Sequence, residues 1–136
     1  MDSNSLSLVI RALERAALHG TVLPYTRFHA LFSGEAPLTQ RYAVLEAAVR
    51  SLSDSPDLDY GVLLACDNGL PGAEFFRRFQ KHRRDAYVAA LGDPRFKSAT
   101  VKGKRQLVAQ DRRRIYEHAA RLRQQERERE RERECA

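Results

Sequence analysis

The sequence predicts a mainly α-helical fold with a small β component. Three observations carry that prediction. Apolar residues recur every three or four positions through most of the chain, β-prone runs are few and short, and Gly, Pro and Asn-Gly signals separate the periodic stretches. With 136 residues, 43% of them hydrophobic, one domain is expected. A chain of this size buries roughly two thirds of its unfolded surface without a disulfide or a metal.

Ser5 is placed to cap a first helix whose apolar positions Leu6, Ile10, Leu13 and Ala17 share one face, with Gly20 as its stop. Thr21 to Leu23 form a short extended piece ending at Pro24. Tyr25 to Phe32 make a short second helix with Phe28, Leu31 and Phe32 inward. The third helix is the clearest: Leu38, Tyr42, Leu45, Val49 and Leu52 step by four and three over four turns. Tyr60 to Ala65 is a continuous apolar run, expected as a buried strand, and Asp67-Asn68-Gly69 turns the chain. A fourth helix is expected from Pro71-Gly72 to about Leu91, with Phe75, Phe76, Phe79, Tyr87 and Leu91 on one side. Residues 93–104 read as a mobile basic linker, and 105–123 as an appended helix with Val108, Ile115, Ala119 and Leu122 on its apolar stripe. The alternating Glu and Arg of 124–136 set like charges four apart and opposite charges three apart, so a frayed, solvated tail is expected.

Charge divides sharply along the chain. Residues 1–74 carry five Arg and no Lys against nine Asp and Glu, whereas residues 75–123 carry fifteen Lys and Arg against four acids. Cations that merely solvate helices are usually interspersed with acids, so a polyanionic partner is expected for residues 75–123. No apolar run approaches the ~20 residues that span a bilayer, and the N-terminus lacks a basic stretch followed by an apolar core. Cys66 and Cys135 are too distant in sequence to suggest a disulfide framework. A soluble, cytoplasmic protein with no membrane partner is expected.

The order helix, strand, helix, helix, strand, turn over residues 1–92 is that of a winged-helix-like core, a helix-turn-helix variant whose third helix enters a groove, here without the second wing strand. Residues 21–72 resemble the DNA-binding domain of alkylguanine DNA alkyltransferases and their non-enzymatic alkyltransferase-like relatives. Thr21-Val22 followed by Tyr25 is similar to the family's strand and the Tyr opening its first helix-turn-helix helix. Arg41 is similar to the Arg that inserts into the duplex, and Asn68-Gly69 to the Asp-Gly turn after the active strand. The family's Pro-Cys-His-Arg motif would fall on Tyr60, Gly61, Val62 and Leu63, none of which matches. The resemblance therefore implies DNA binding without alkyl transfer. Leu63-Leu64-Ala65, Asn68-Gly69-Leu70-Pro71-Gly72 and Phe75-Phe76 are also similar to small uncharacterised bacterial winged-helix-like proteins, a likeness that names no activity.

The candidate nucleic-acid-binding residues are Arg77, Arg78, Lys81 and Arg84 on the fourth helix and Arg112, Arg113 and Arg114 on the fifth. Arg41, beside Gln40 and Tyr42, leads the third. Free backbone N–H groups after Gly69-Leu70-Pro71-Gly72 offer a further phosphate position. His19, His29, His82 and His118 lack zinc-site spacing, Cys66 reads as a small structural residue, and no nucleophile stands beside a base. No metal, cofactor or enzymatic activity is expected. The expected function is duplex-DNA binding of regulatory type with modest sequence specificity. Contacts to about six phosphates would cost three or more decades of affinity between 50 and 200 mM salt. A basic face that docks an acidic protein is the alternative, since Arg suits carboxylates as well as phosphates.

Overall fold

Helix α1 (Ser3–His19) buries Val9, Leu13, Ala16 and Ala17 along one face, packed on α3 (Leu38–Leu52) and α6 (Val101–Cys135). The structure, a computed structural model, describes residues 3–135. Ser5 lies inside α1 and is buried, so it is not the cap that its position suggests. Gly20, at φ +65°, ends the helix in the left-handed conformation that glycine adopts without penalty, and Thr21 N donates back to the Ala16 carbonyl at 2.9 Å.

Strand β1 (Leu23–Pro24) and α2 (Tyr25–Ala30) follow, and then α3 with the boundaries its periodicity predicts. Its inward face is Val44, Leu45, Ala48 and Val49, and Leu38 at its start is exposed. Strand β2 (Leu64–Ala65) pairs in parallel with β1, Leu23 opposite Leu64 and Pro24 opposite Ala65. The described residues are thus mainly helical with one two-stranded parallel sheet.

The expected strand over Tyr60–Ala65 is mostly a 3-10 turn, Tyr60–Leu63, and only its last two residues pair as β2. Two side chains from outside the run impose that shape. The Asp59 carboxylate accepts from Gly61 N at 2.8 Å and is itself gripped by Arg78, whose Nε donates to Oδ2 at 2.7 Å and Nη2 to Oδ1 at 3.2 Å. Arg112, reaching in from α6, donates from Nε to the Val62 carbonyl at 2.8 Å and from Nη2 to the Leu64 carbonyl at 3.1 Å. Replacing Arg112 with Met keeps the stem but strands these carbonyls, and a loss of about 2–3 kcal/mol is expected in urea unfolding. Lys should not restore it, since an ammonium cannot fork to two carbonyls. An unchanged midpoint in Arg112→Met would refute the role of this pin.

The expected single helix from residue 73 to 91 is two, α4 (Ala73–His82) and α5 (Arg84–Leu91). Arg83 leaves helical geometry at φ −134°, ψ 49°. It lays its guanidinium over the Phe79 ring at 3.9 Å and pairs with Asp111 at 2.9 Å and Asp57 at 3.7 Å. Helix α6 begins at Val101, so the end of the expected linker is helical, and Thr100 Oγ1 accepts from Gly103 N at 3.0 Å in its first turn. Nor is α6 merely appended: Leu107, Val108, Ile115 and Ala119 belong to the same core as Phe28, Leu45 and Phe75. It continues helical to Cys135 rather than fraying, its last turns fully exposed. Among the described residues, no helix is long and apolar enough to cross a membrane.

Candidate nucleic-acid interface

The candidate cations divide into those turned inward and those left outside. Arg41 clamps the loop before α3: its Nε donates to the Ala36 carbonyl at 2.9 Å and Nη2 to the Ser33 carbonyl at 3.2 Å, with Nη1 3.3 Å from His29 Nδ1. Desolvation, with the Arg41 charge, lowers the His29 pKa and keeps the ring neutral. Arg78 is held by Asp59 and Arg112 by two carbonyls, as described. Arg84 lies 3.9 Å from Asp93, and Arg114 lies 3.6 Å from Asp111 on its own helix. Arg77, Lys81 and Arg113 are exposed and have no ion pair among the described residues.

Two of those three stand in mixed company. Arg77 and Lys81 line a groove of about 650 Å³ between the end of α3, the 53–59 loop and α4, and Glu46, Asp54, Asp59 and Glu74 line it too. The acidic N-terminal half thereby compensates the exposed cations of α4. Such compensation is sparser over the first turns of α6, where Asp111 is the one acid before Glu117 and is buried against Arg83. Lys102, Arg105 and Arg113 are exposed. At about 100° per residue, Lys102 and Arg113 project within about 20° of each other and Arg105 within about 60° of Lys102. This outer face points away from the buried stripe of Leu107, Val108, Asp111, Ile115 and Ala119.

Lys97 is exposed in the segment before α6, whereas Lys104, about 200° around the helix from Lys102, turns back towards α4 with its Nζ 5.1 Å from the Phe76 centroid. The segment between α5 and α6 is ordered by Asp93. Its carboxylate accepts from Arg95 N at 2.9 Å and Arg95 Nη2 at 2.8 Å, and its carbonyl accepts from Phe96 N at 3.0 Å and Lys97 N at 2.9 Å. Hydrogen bonds from Arg95 hold the Asp93 carboxyl at about 2, so this clasp persists at ordinary pH. It presents Phe96, which is 84% exposed. Sequence reasoning passed over this ring because one aromatic in a loop has no periodicity; the Arg95-Phe96-Lys97 triplet was the available signal.

The other candidate positions are filled from within the chain. At the start of α4, Gly72 N donates to Tyr25 Oη at 2.8 Å and the Tyr25 hydroxyl donates to Glu74 Oε1, so a tyrosine and a carboxylate occupy the expected phosphate position. Burial and the Glu74 bond raise the Tyr25 pKa, keeping the hydroxyl protonated. Gly61, where the alkyltransferase motif places its cysteine, is buried, and a Cβ there would collide with Arg78 Nη2 and lie 2.8 Å from Asp59 Oδ1. Cys66 is exposed, and desolvation with the Glu74 and Asp67 charges raises its pKa, the opposite of an activated thiolate. Among the described residues no three His, Cys, Asp or Glu are placed to hold a metal ion. No family model, curated protein or solved structure gives a significant match to the chain.

Proposed function

We propose that the chain is a non-enzymatic, cytoplasmic nucleic-acid-binding protein that takes duplex DNA on the segment from Arg95 to Arg113. The observation that carries this is the run of exposed cations with no ion pair among the described residues: Lys97, Lys102, Arg105 and Arg113. Side chains at this density gain from releasing the counterions condensed on a phosphate backbone, a gain that is independent of sequence. On this reading Arg77 and Lys81 make a weaker second contribution, because acids share their groove.

Residues 1–92 are read as a winged-helix-like core, a reading supported by the order of α1, β1, α2, α3 and β2. Base contacts from α3 then fall to Gln40 and Thr39, both exposed, more than to Arg41, which is engaged with the preceding loop. Specificity is correspondingly modest, and a regulatory role requires a bend or junction in the DNA, or a partner, to supply the rest.

With about five phosphate contacts, the slope of log K against log salt for duplex DNA should be near −4.5, or between two and three decades of affinity lost from 50 to 200 mM. Fluorescence anisotropy across that range tests this. A salt-insensitive complex, or heparin failing to displace the DNA, would instead favour an acidic protein as the natural partner of this face.

A further inference from the structure

Phe96 is the most exposed of the large apolar side chains among the described residues and stands between Arg95 and Lys97. Scattered apolar side chains on a surface carry no message by themselves. This one is held out by construction. Gly92, at φ +89°, ends α5 and leaves room for the stem of Lys97 against its Cα, while the Asp93 clasp fixes the turn that follows. Arg95 is held by Asp93 with its Cζ over the Phe96 ring, 5.3 Å from the centroid, so a guanidinium faces one side of a ring that is still 84% exposed. Lys97 and Lys102 are exposed nearby in sequence, and the one acid of the segment is already engaged by Arg95. An exposed aromatic ring with a guanidinium on one side and lysines close by in sequence is complementary to a nucleobase flanked by its own phosphates.

We propose that Phe96 stacks on an unpaired nucleobase, so that the preferred ligand is duplex DNA interrupted by a bulge, a flap or a single-stranded junction. This rests on the nucleic-acid reading above. Wedging a ring into an intact base step requires unstacking, which is offset only when a bent duplex wraps further protein surface. One ring at the tip of one turn offers no such surface. A base that is already unpaired incurs no unstacking, and its stacking is indifferent to base identity because every base has a π-face.

The test uses the full chain, a labelled duplex, and the same duplex carrying an unpaired nucleotide, compared at one salt concentration. The wild type should bind the bulged probe roughly 5- to 100-fold more tightly than the intact one. Phe96→Ala should bind both probes as the wild type binds the intact duplex, and Phe96→Trp should keep the preference. Phe96 makes no buried contact that a substitution would disturb, and an unchanged thermal midpoint checks that both variants fold. A wild type that binds the intact duplex with the expected salt slope but ignores the bulge overturns this inference alone. A wild type that binds neither probe overturns the nucleic-acid reading with it. Phe96→Ala that loses binding to phosphatidylserine vesicles while keeping the bulge preference assigns the ring to a lipid surface and also overturns it.

Discussion

Replacing Arg83 with Met is expected to destabilise the fold by about 3–5 kcal/mol at neutral pH, the cost of leaving a buried carboxylate without its counter-charge. Asp111 is 3% exposed, and its Oδ1 lies 2.9 Å from Arg83 Nη2. Arg114 is farther away and half in solvent, so it is a poor substitute. Burial raises the Asp111 pKa, and Arg83 works against that rise. The sign of the pH dependence follows. A carboxyl whose folded-state pKa lies above its unfolded value favours the fold at low pH and loses that contribution as pH rises through the folded pKa. Without Arg83 the folded pKa rises further, so the deficit of Arg83→Met should be largest near neutrality and shrink on acidification. Arg83 Nη1 and Asp111 Oδ2 find no hydrogen-bond partner among the described residues, so the pair is imperfectly satisfied. The double variant Arg83→Met with Asp111→Leu should therefore recover most of the loss. Chemical unfolding of the three variants between neutral and acidic pH measures this. A pH-independent deficit, or a double variant as unstable as the single, would show that Arg83 acts by packing on Phe79 instead.

Exchanging Lys102, Arg105 and Arg113 together for Gln is expected to lower duplex affinity by two to three decades at low salt, each lost phosphate contact removing roughly one unit of salt slope. All three are exposed, and the α6 core stripe of Leu107, Val108, Ile115 and Ala119 is untouched, so the helix should retain its stability. Neutralising Arg77 and Lys81 instead should have a smaller effect, because Glu46 and Asp54 already share their groove. Deleting α6 would not be a clean substitute for these changes, since it opens the core.

The helices α1 and α3 were legible because their signals are local: apolar spacing, Gly20 and Pro37 at their ends, and no long-range side chain competing with them. Tyr60–Leu63 was not. An apolar run satisfies a strand as well as a 3-10 turn, and what decides is the grip of Arg78 on Asp59, 19 positions away, and of Arg112 on two carbonyls 50 and 48 positions away. The break at Arg83 has the same cause, an ion pair to α6 that no periodicity reveals. The charge asymmetry correctly located the cations in sequence, but which of them are engaged depends on acids contributed by other elements. Asp59 and Asp111 each draw in an arginine that helical spacing alone leaves on the surface. Adjacent arginines on α6 show the point: Arg112 is turned inward to the 3-10 turn and β2, while Arg113 faces out.

The most direct measurement compares the slope of log K against log salt for duplex DNA in the wild type and in the Lys102, Arg105 and Arg113 triple variant. A wild-type slope near −4.5 that falls to about −2 in the triple variant is the result predicted. Equal slopes in the two proteins, or a flat response in the wild type, would contradict the placement of the interface on α6.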